Sequence, residues 1–260
     1  MLKYILARCY KYFACEFINY FIIVMENKMR LDKFLSVTKT ATRSEAAKAC
    51  KSGGVTVNGE IEKNTARSVE PENDKICFFG TPVIYRRYTW IMMNKPSGVL
   101  SASNDKKEMT VVSLLPPPLN SMELFPCGRL DKDTVGLIMI TNDGELSHKL
   151  LSPKKHAEKV YSFKLSRPYD KAVGIENGIM MDGKLTKPAK IEMKGELEGE
   201  ITLTEGKYHQ IKRMFERADS EVVFLKRLSF GGVLLDKTLA PGEWRYLTEE
   251  EEQTLRRAAE

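Results

Sequence analysis

The chain has 260 residues, a formal net charge of +6 and 42% hydrophobic residues, enough for a substantial core in one large domain or two smaller ones, with a basic excess that suits a polyanionic partner without requiring one. Its five cysteines, Cys9, Cys15, Cys50, Cys77 and Cys127, lack paired short spacing and have only His148, His156 and His209 beside them, which argues against a metal centre and fits a reducing cytoplasm. No glycine-rich phosphate loop or dinucleotide fingerprint occurs, so no nucleotide cofactor is implied.

The first stretch, MLKYILARCYKYFACEFINYFIIVMENK, is apolar and aromatic but interrupted by Lys3, Arg8, Lys11 and Glu16. Its cleanest run, Phe17 to Met25, is far short of the roughly 20 apolar residues that a membrane span needs. Charges inside the apolar region, with no small-residue cleavage site after it, argue against a secretory signal. Residues 1–28 are therefore expected to be an extension outside the working protein. Met25 and Met29 are alternative starts, and a membrane-surface helix is the lesser reading.

From Met29 the pattern becomes regular. Leu31, Phe34 and Leu35 form a short helical face; Thr42 with Glu45 is a capping-box signal for a second helix, whose inner side is Ala46, Ala47, Ala49 and Cys50 and which Gly53-Gly54 stops. Val55 and Val57 then alternate into Asn58-Gly59, a strong hairpin signal, and Ile61 resumes beyond it. With Arg30, Lys33, Lys39, Arg43, Lys48 and Lys51 on the polar sides, the residues by themselves describe a compact basic module, for which RNA binding is one use among several. The run MRLDKFLSVTKTATRSEAAKACKSGGVTVNGE resembles the S4-like RNA-binding domain. That resemblance implies a domain over 29–75 that docks on RNA backbone and shape, with Arg30, Lys33, Arg43 and Lys48 as contacts.

Between Glu70 and Arg87 the periodicity is lost and Pro71, Gly80, Pro82, Arg86 and Arg87 cluster, so the linker is placed in this stretch, over 76–88, and the second domain over 89–260. Trp90 to Met93 read as an apolar strand and Lys95-Pro96-Ser97-Gly98 as a turn, with another loop at Pro116 to Pro118.

The centre of the chain is PCGRLDKDTVGLIMITNDGELSHK, residues 126–149. Arg129 and Lys132 flank Asp131, so Coulomb attraction should keep the acid ionised, and the apolar run from Gly136 to Ile140 reads as the strand that fixes it. Taken alone, an aspartate between basic residues fits a surface ion pair or a turn as well as a catalytic group. The basic residues that follow, Lys149, Lys154, Lys155, Lys159, Lys164, Arg167 and Lys171, read either as a solvated face or as a phosphate-contacting patch.

Further on, Asp143 caps a helix running through Leu151, and Tyr161, Phe163 and Leu165 alternate on one strand face. Asn177-Gly178 and Asp182-Gly183 read as turns. Ala189, Ile191 and Met193, then Ile201 and Leu203, form two strands with Gly195 and Gly199 bracketing their connection. In EGKYHQIKRMFERA the period becomes helical, with Ile211, Met214, Phe215 and Ala218 on one face and Lys212 and Arg213 on the polar flanks. Val222 to Leu225 returns to strand, Gly231-Gly232 turns, Trp244 to Leu247 follow Pro241-Gly242, and Thr248 with Glu251 caps a last helix ending in Arg256-Arg257.

The run Gly128, Arg129, Leu130, Asp131, then Asp133-Thr134, Gly136-Leu137 and Thr141-Asn142-Asp143-Gly144 is similar to the signature of the RsuA-type pseudouridine synthases, which modify ribosomal RNA. Cys127 and Val135 depart mildly from that signature, standing where an aliphatic and a polar residue are usual. NKPSGV resembles the first strand and turn of the same family, EKVY its KxY motif, and QIKRM and FLKR its later motifs; the resemblance covers Met29 to Glu252. It implies that Asp131 is the catalytic carboxylate, that Tyr161 stacks on the uracil, that Lys212 pairs with the acid, that Leu225 lines the uracil pocket and that Arg129 contacts phosphate or displaces the target nucleotide.

YHQIKRM and LAPGEWRYLTEEE look like the members that act on small-subunit rather than large-subunit RNA. The fold implied is α+β: a small N-terminal helical and hairpin RNA-binding domain, then a mainly antiparallel-sheet catalytic domain with flanking helices. The expected protein is a cytoplasmic, monomeric enzyme that isomerises one uridine in 16S ribosomal RNA, free or in a small-subunit assembly intermediate, without metal, cofactor or membrane. The alternatives are a 23S ribosomal RNA synthase of the same family and a non-catalytic RNA-binding assembly factor.

Overall fold

The computed structural model describes residues 28–85, 87–152 and 157–260. Residues 1–27, where the extension is expected and where Cys9 and Cys15 fall, lie outside the described residues, as do Arg86, Lys154, Lys155 and His156. The chain forms two compact units that divide after Arg87.

In the first unit, strand β1 (Met29–Arg30) leads into helices α1 (Leu31–Val37) and α2 (Arg43–Lys51), followed by β2 (Val55–Val57), β3 (Glu60–Ile61), β4 (Ser68–Val69), β5 (Ile76–Phe78) and β6 (Thr81–Pro82). The Thr42 hydroxyl accepts from the Glu45 amide and the Glu45 carboxylate accepts from the Thr42 amide, so both halves of the capping box form. Asn58 and Gly59 both take positive φ, 56° and 88°, the conformation that a two-residue turn between β2 and β3 demands. Leu31, Phe34, Leu35, Ala46, Cys50 and Val55 close a small core.

The stretch expected to be linker is partly strand. β5 pairs with β2 and β6 with β5 in a sheet of order β3-β2-β5-β6, and Ile76 is buried in the core. Pro82 is compatible with this because β6 is an edge strand, where a missing donor costs no ladder bond.

The second unit is a nine-stranded sheet with helices on its faces. Its elements are β7 (Trp90–Lys95), β8 (Phe125–Cys127), β9 (Val135–Thr141), α3 (Gly144–Leu151), β10 (Lys159–Leu165), β11 (Met180–Met181), β12 (Lys184–Leu185), β13 (Lys190–Met193), β14 (Glu198–Leu203), α4 (Gln210–Arg217), β15 (Val222–Phe230), β16 (Val233–Leu234), β17 (Trp244–Tyr246) and α5 (Glu249–Ala258). The order is β13-β14-β10-β15-β9-β7-β17, with β8 on β9, β16 on β15 and β11-β12 a separate hairpin. All pairs are antiparallel except β9 with β15.

The apolar runs of β7 and β9 follow from burial on both faces. Ile91, Met93, Ile138 and Ile140 join one cluster with Met214 and Phe215 of α4, whereas Trp90, Met92, Leu137 and Met139 join another with Leu146 and Leu150 of α3 and Leu255 of α5. At the parallel crossing Gly136 has φ 97°, and a Cβ there would stand 2.4 Å from the Arg227 carbonyl oxygen. Only glycine allows the two backbones to meet so closely. Gly199 lies inside β14 opposite Phe163, rather than in the connection, and the strand expected over Val222 to Leu225 continues to Phe230. Among the described residues no helix is long and apolar enough to cross a membrane.

Candidate active site

Asp131 lies in the short loop between β8 and β9, and that loop is fastened from below. The Leu130 amide donates to Ser101 Oγ at 3.0 Å, and the same hydroxyl donates back to the Leu130 carbonyl at 2.8 Å. The Gly98 amide donates to the Lys132 carbonyl at 2.8 Å. Lys95, the last residue of β7, is fully buried, and its Nζ donates to the carbonyls of Pro96 at 3.0 Å, Lys132 at 3.1 Å and Thr134 at 2.9 Å. Burial pushes this ammonium down to about 8, against the attraction of Asp133 and Asp131.

Facing the loop stand Lys212 of α4 and His209 of the turn before it. Lys212 Nζ is 3.5 Å from Asp131 Oδ2 and His209 Nε2 is 3.5 Å from Asp131 Oδ1. Lys212 donates more closely to Asp133, at 2.7 Å to each carboxylate oxygen. That bond, with the charges of Lys212 and His209, holds the Asp133 carboxyl below the usual range against its partial burial. The side chains of Asp131 and Lys212 are 26% and 22% exposed, whereas that of Asp133 is 68% exposed. The partly buried members thus face one another while Asp133 looks to solvent.

Leu130, next to the acid in the chain, belongs to a large buried apolar cluster that also holds Tyr161 and Leu225. Phe163 of β10 is in register with Leu225 of β15, and Tyr161 stands two residues before Phe163 on the same face. Opposite Tyr161 is Arg227, which is buried, donates from Nε to the Leu137 carbonyl at 2.6 Å and lies over the Phe230 ring at 5.3 Å. Its second terminal nitrogen has no hydrogen-bond partner among the described residues. Lys159 is buried close by and donates to the Ala157 carbonyl at 2.8 Å; burial, then the charge of Arg227, pushes it down to about 8.

Of the residues singled out from sequence, Asp131 and Lys212 come together, with Tyr161 and Leu225 in the adjoining cluster. One expectation is corrected. Asp131 was expected to draw its counter-charge from its sequence neighbours, but Lys132 pairs with Glu108, and the side chains in ion-pair range, Lys212 and His209, come from the α4 region. Lys212, expected to pair with the acid, lies 3.5 Å from Asp131 and makes shorter bonds to Asp133. Arg129 is exposed. In the first unit Arg30, Lys33, Arg43 and Lys48 are all exposed, and Arg30 makes a two-point ion pair with Asp32.

Among its described residues, the basic run that begins at Lys149 does not make one patch. Lys149 pairs with Glu145, Lys164 pairs with Glu198, and Lys159 is internal. Lys95, Ser101, Asp133 and His209 were missed as site residues. A lysine ending an otherwise apolar strand, just before Pro-Ser-Gly, was the one available signal for Lys95. Among the described residues no group of three metal-ligating side chains gathers. What the arrangement offers is a half-buried carboxylate with a fixed backbone, faced by Lys212 and His209 and joined through Leu130 to an apolar cluster that includes Tyr161. Such a site can hold a flat, neutral ring against a charged oxygen.

Residues 89–217 match the family model described as RNA pseudouridylate synthase, and residues 29–76 match the S4 domain. An uncharacterised RNA pseudouridine synthase of Bacillus subtilis is 47% identical over 230 residues, spanning 86% of this chain and 96% of that protein. The ribosomal small subunit pseudouridine synthase A of Escherichia coli K12 is 40% identical over 228 residues, spanning 86% and 98% of the two chains. A crystal structure of a pseudouridylate synthase superposes with a TM-score of 0.61 at 38% identity, covering 87% of this chain and 99% of that one.

Proposed function

The chain belongs to the RNA pseudouridine synthases, and from that premise we propose that it isomerises one uridine of 16S ribosomal RNA with Asp131 as the acting carboxylate. Such an enzyme breaks the bond between uracil N1 and ribose C1′, turns the base and joins C5 to C1′; the C5 proton leaves and N1 gains one, so nothing is consumed. The chemistry needs a positioned carboxylate, a pocket for the loosened base and a target nucleotide drawn out of its stack.

One observation carries this reading. The Asp131 carboxylate sits half-buried next in the chain to Leu130, a member of the cluster that also holds Tyr161 and Leu225, on a backbone bonded to Lys95 and Ser101. In this reading Asp131 acts at the sugar or the base, Tyr161 stacks on uracil, Leu225 walls its pocket, and Lys212 holds the acid's charge and orientation. Arg129, exposed beside the acid, contacts phosphate or helps to displace the nucleotide. The S4 domain over 29–75, through Arg30, Lys33, Arg43 and Lys48, recruits the RNA on which the domain over 89–260 acts.

The test is to incubate the protein with unmodified 16S and 23S transcripts and with small-subunit particles, then map pseudouridine by carbodiimide-blocked primer extension. A single new stop in small-subunit RNA, absent with Asp131→Asn while RNA binding persists, is expected. A stop confined to 23S RNA overturns the substrate, and full turnover by Asp131→Asn overturns the residue assignment.

A further inference from the structure

We propose that the stacked pair Tyr208 and His209 is a platform on which the base next to the target uridine stacks, so that the neighbour is held as the uridine leaves it. This rests on the reading of the site given above. The two rings lie 3.8 Å apart between centroids at 19°, and Tyr208 is 71% exposed. The imidazole backs one face of the tyrosine ring and leaves the other to solvent. On its other side His209 reaches to 3.5 Å from Asp131 Oδ1, so a single imidazole separates the platform from the carboxylate.

The platform is built before any ligand arrives. His209 takes a left-handed backbone, φ 51° and ψ 31°, at the start of α4, a region uncommon outside glycine though one that histidine enters more readily than most residues. Two buried side chains hold the turn. The Gln210 amide accepts from the Lys207 amide at 2.9 Å and donates to Glu205 at 2.7 Å, and Glu205 also accepts from the Lys187 amide at 2.8 Å. A turn locked from beneath orders little more when a base settles on it, which favours binding.

The surroundings fit a nucleic-acid strand. Lys207 adjoins the pair, its Nζ 3.4 Å from the Lys184 carbonyl on the β11-β12 hairpin, and supplies a cation for phosphate. Drawing a uridine into a pocket unstacks its neighbour, and an exposed tyrosine face replaces the lost partner for any base, since every base has a π-face. The ligand is therefore a single-stranded nucleobase beside the target, accepted by shape rather than by hydrogen-bond pattern.

The experiment uses the full chain and an oligoribonucleotide spanning the uridine that the parent protein converts. Tyr208→Leu keeps apolar bulk without a planar ring; its affinity should fall roughly tenfold, with much less change in single-turnover rate at saturating RNA. Tyr208→Phe should restore affinity. An abasic residue at one of the two flanking positions should weaken the parent by a similar factor and leave Tyr208→Leu no further loss. 2-Aminopurine at that position should be quenched by the parent and not by Tyr208→Leu, a signature that a purely structural role for the tyrosine does not give. Tyr208→Leu binding as tightly as the parent, or losing as much on both abasic RNAs as on intact RNA, overturns the platform while leaving the functional reading in place. A parent that converts no uridine in any ribosomal RNA overturns both.

Discussion

Beneath the Asp131 loop Lys95 is fully buried and directs its protons at the carbonyls of Pro96, Lys132 and Thr134, whereas above it Lys212 is partly exposed and shared between the carboxylates of Asp131 and Asp133. The two ammonium groups bond to one loop with opposite consequences. The buried one bonds to dipoles, so it fixes where the backbone runs and is far from water that could replace it. The outer one bonds to charges near solvent, so it contributes little to folding and instead governs the electrostatics that a substrate meets.

The sharpest way to break this comparison is Lys95→Met. It leaves three loop carbonyls without their common donor in a dry site, and the expected loss is about 3 kcal/mol in the catalytic unit. In a thermal scan this reads as a fall of roughly 6–12 °C in that unit's midpoint. Turnover should fall with it, because Asp131 rides on the loosened backbone. An unchanged midpoint would show that the loop is held by Ser101 and Gly98 and that Lys95 is incidental.

Lys212→Met should do the reverse. Its effect on unfolding should stay under about 1 kcal/mol, while single-turnover rate falls roughly 10- to 100-fold through loss of a charged partner close to the acid. Asp133→Asn sharpens this further. It removes the lysine's nearer partner, so Lys212 is left to Asp131, and rate should change by at most about fivefold. If Asp133→Asn instead costs as much as Lys212→Met, then Asp133 is the carboxylate that the lysine serves, and the 3.5 Å approach to Asp131 carries no function.

Much of the fold was legible because its signals are local. The capping boxes at Thr42 and Thr248, the Asn58-Gly59 turn and the helical face of Ile211, Met214 and Phe215 each depend on residues a few positions apart. The motif residues Asp131 and Lys212 could be paired in advance through family resemblance, although they lie in separate elements. Lys95 could not be read this way: its acceptors at Lys132 and Thr134 are 37 and 39 residues away, and a lysine before Pro-Ser-Gly reads locally as an exposed turn. β5 and β6 were missed because turn residues at Phe79-Gly80 and Pro82 mask two short strands, whose pairing with β2 supplies what their pattern lacks. His209 escaped notice because histidine, though enriched in left-handed backbone, adopts it too seldom for its presence to mark such a position.

Lys159 separates burial from bonding as the source of the Lys95 effect. It too is internal and pushed down to about 8, but its Nζ has the Ala157 carbonyl as acceptor where Lys95 has three, and the cationic Arg227 stands nearby. Its folded value lies below the ordinary lysine value of 10.5. Below pH 8 both folded and unfolded chains carry the proton, so the full cost of a buried charge is borne by the folded state; between 8 and 10.5 the unfolded chain binds more protons, and stability from this group rises with pH. Lys159→Met removes that cost and one hydrogen bond. It should therefore raise stability at pH 7, by about 1 kcal/mol after the lost bond is counted, opposite in sign to Lys95→Met. The advantage should shrink as pH rises from 8 toward 10.5, measured as the difference in urea midpoints between variant and parent, which cancels groups such as Lys95 that titrate in both. A variant less stable than the parent at pH 7, or a gap that widens with pH, would mean that a buried lysine in this sheet is stabilising with one acceptor, and that the number of carbonyls around Lys95 is not what distinguishes it.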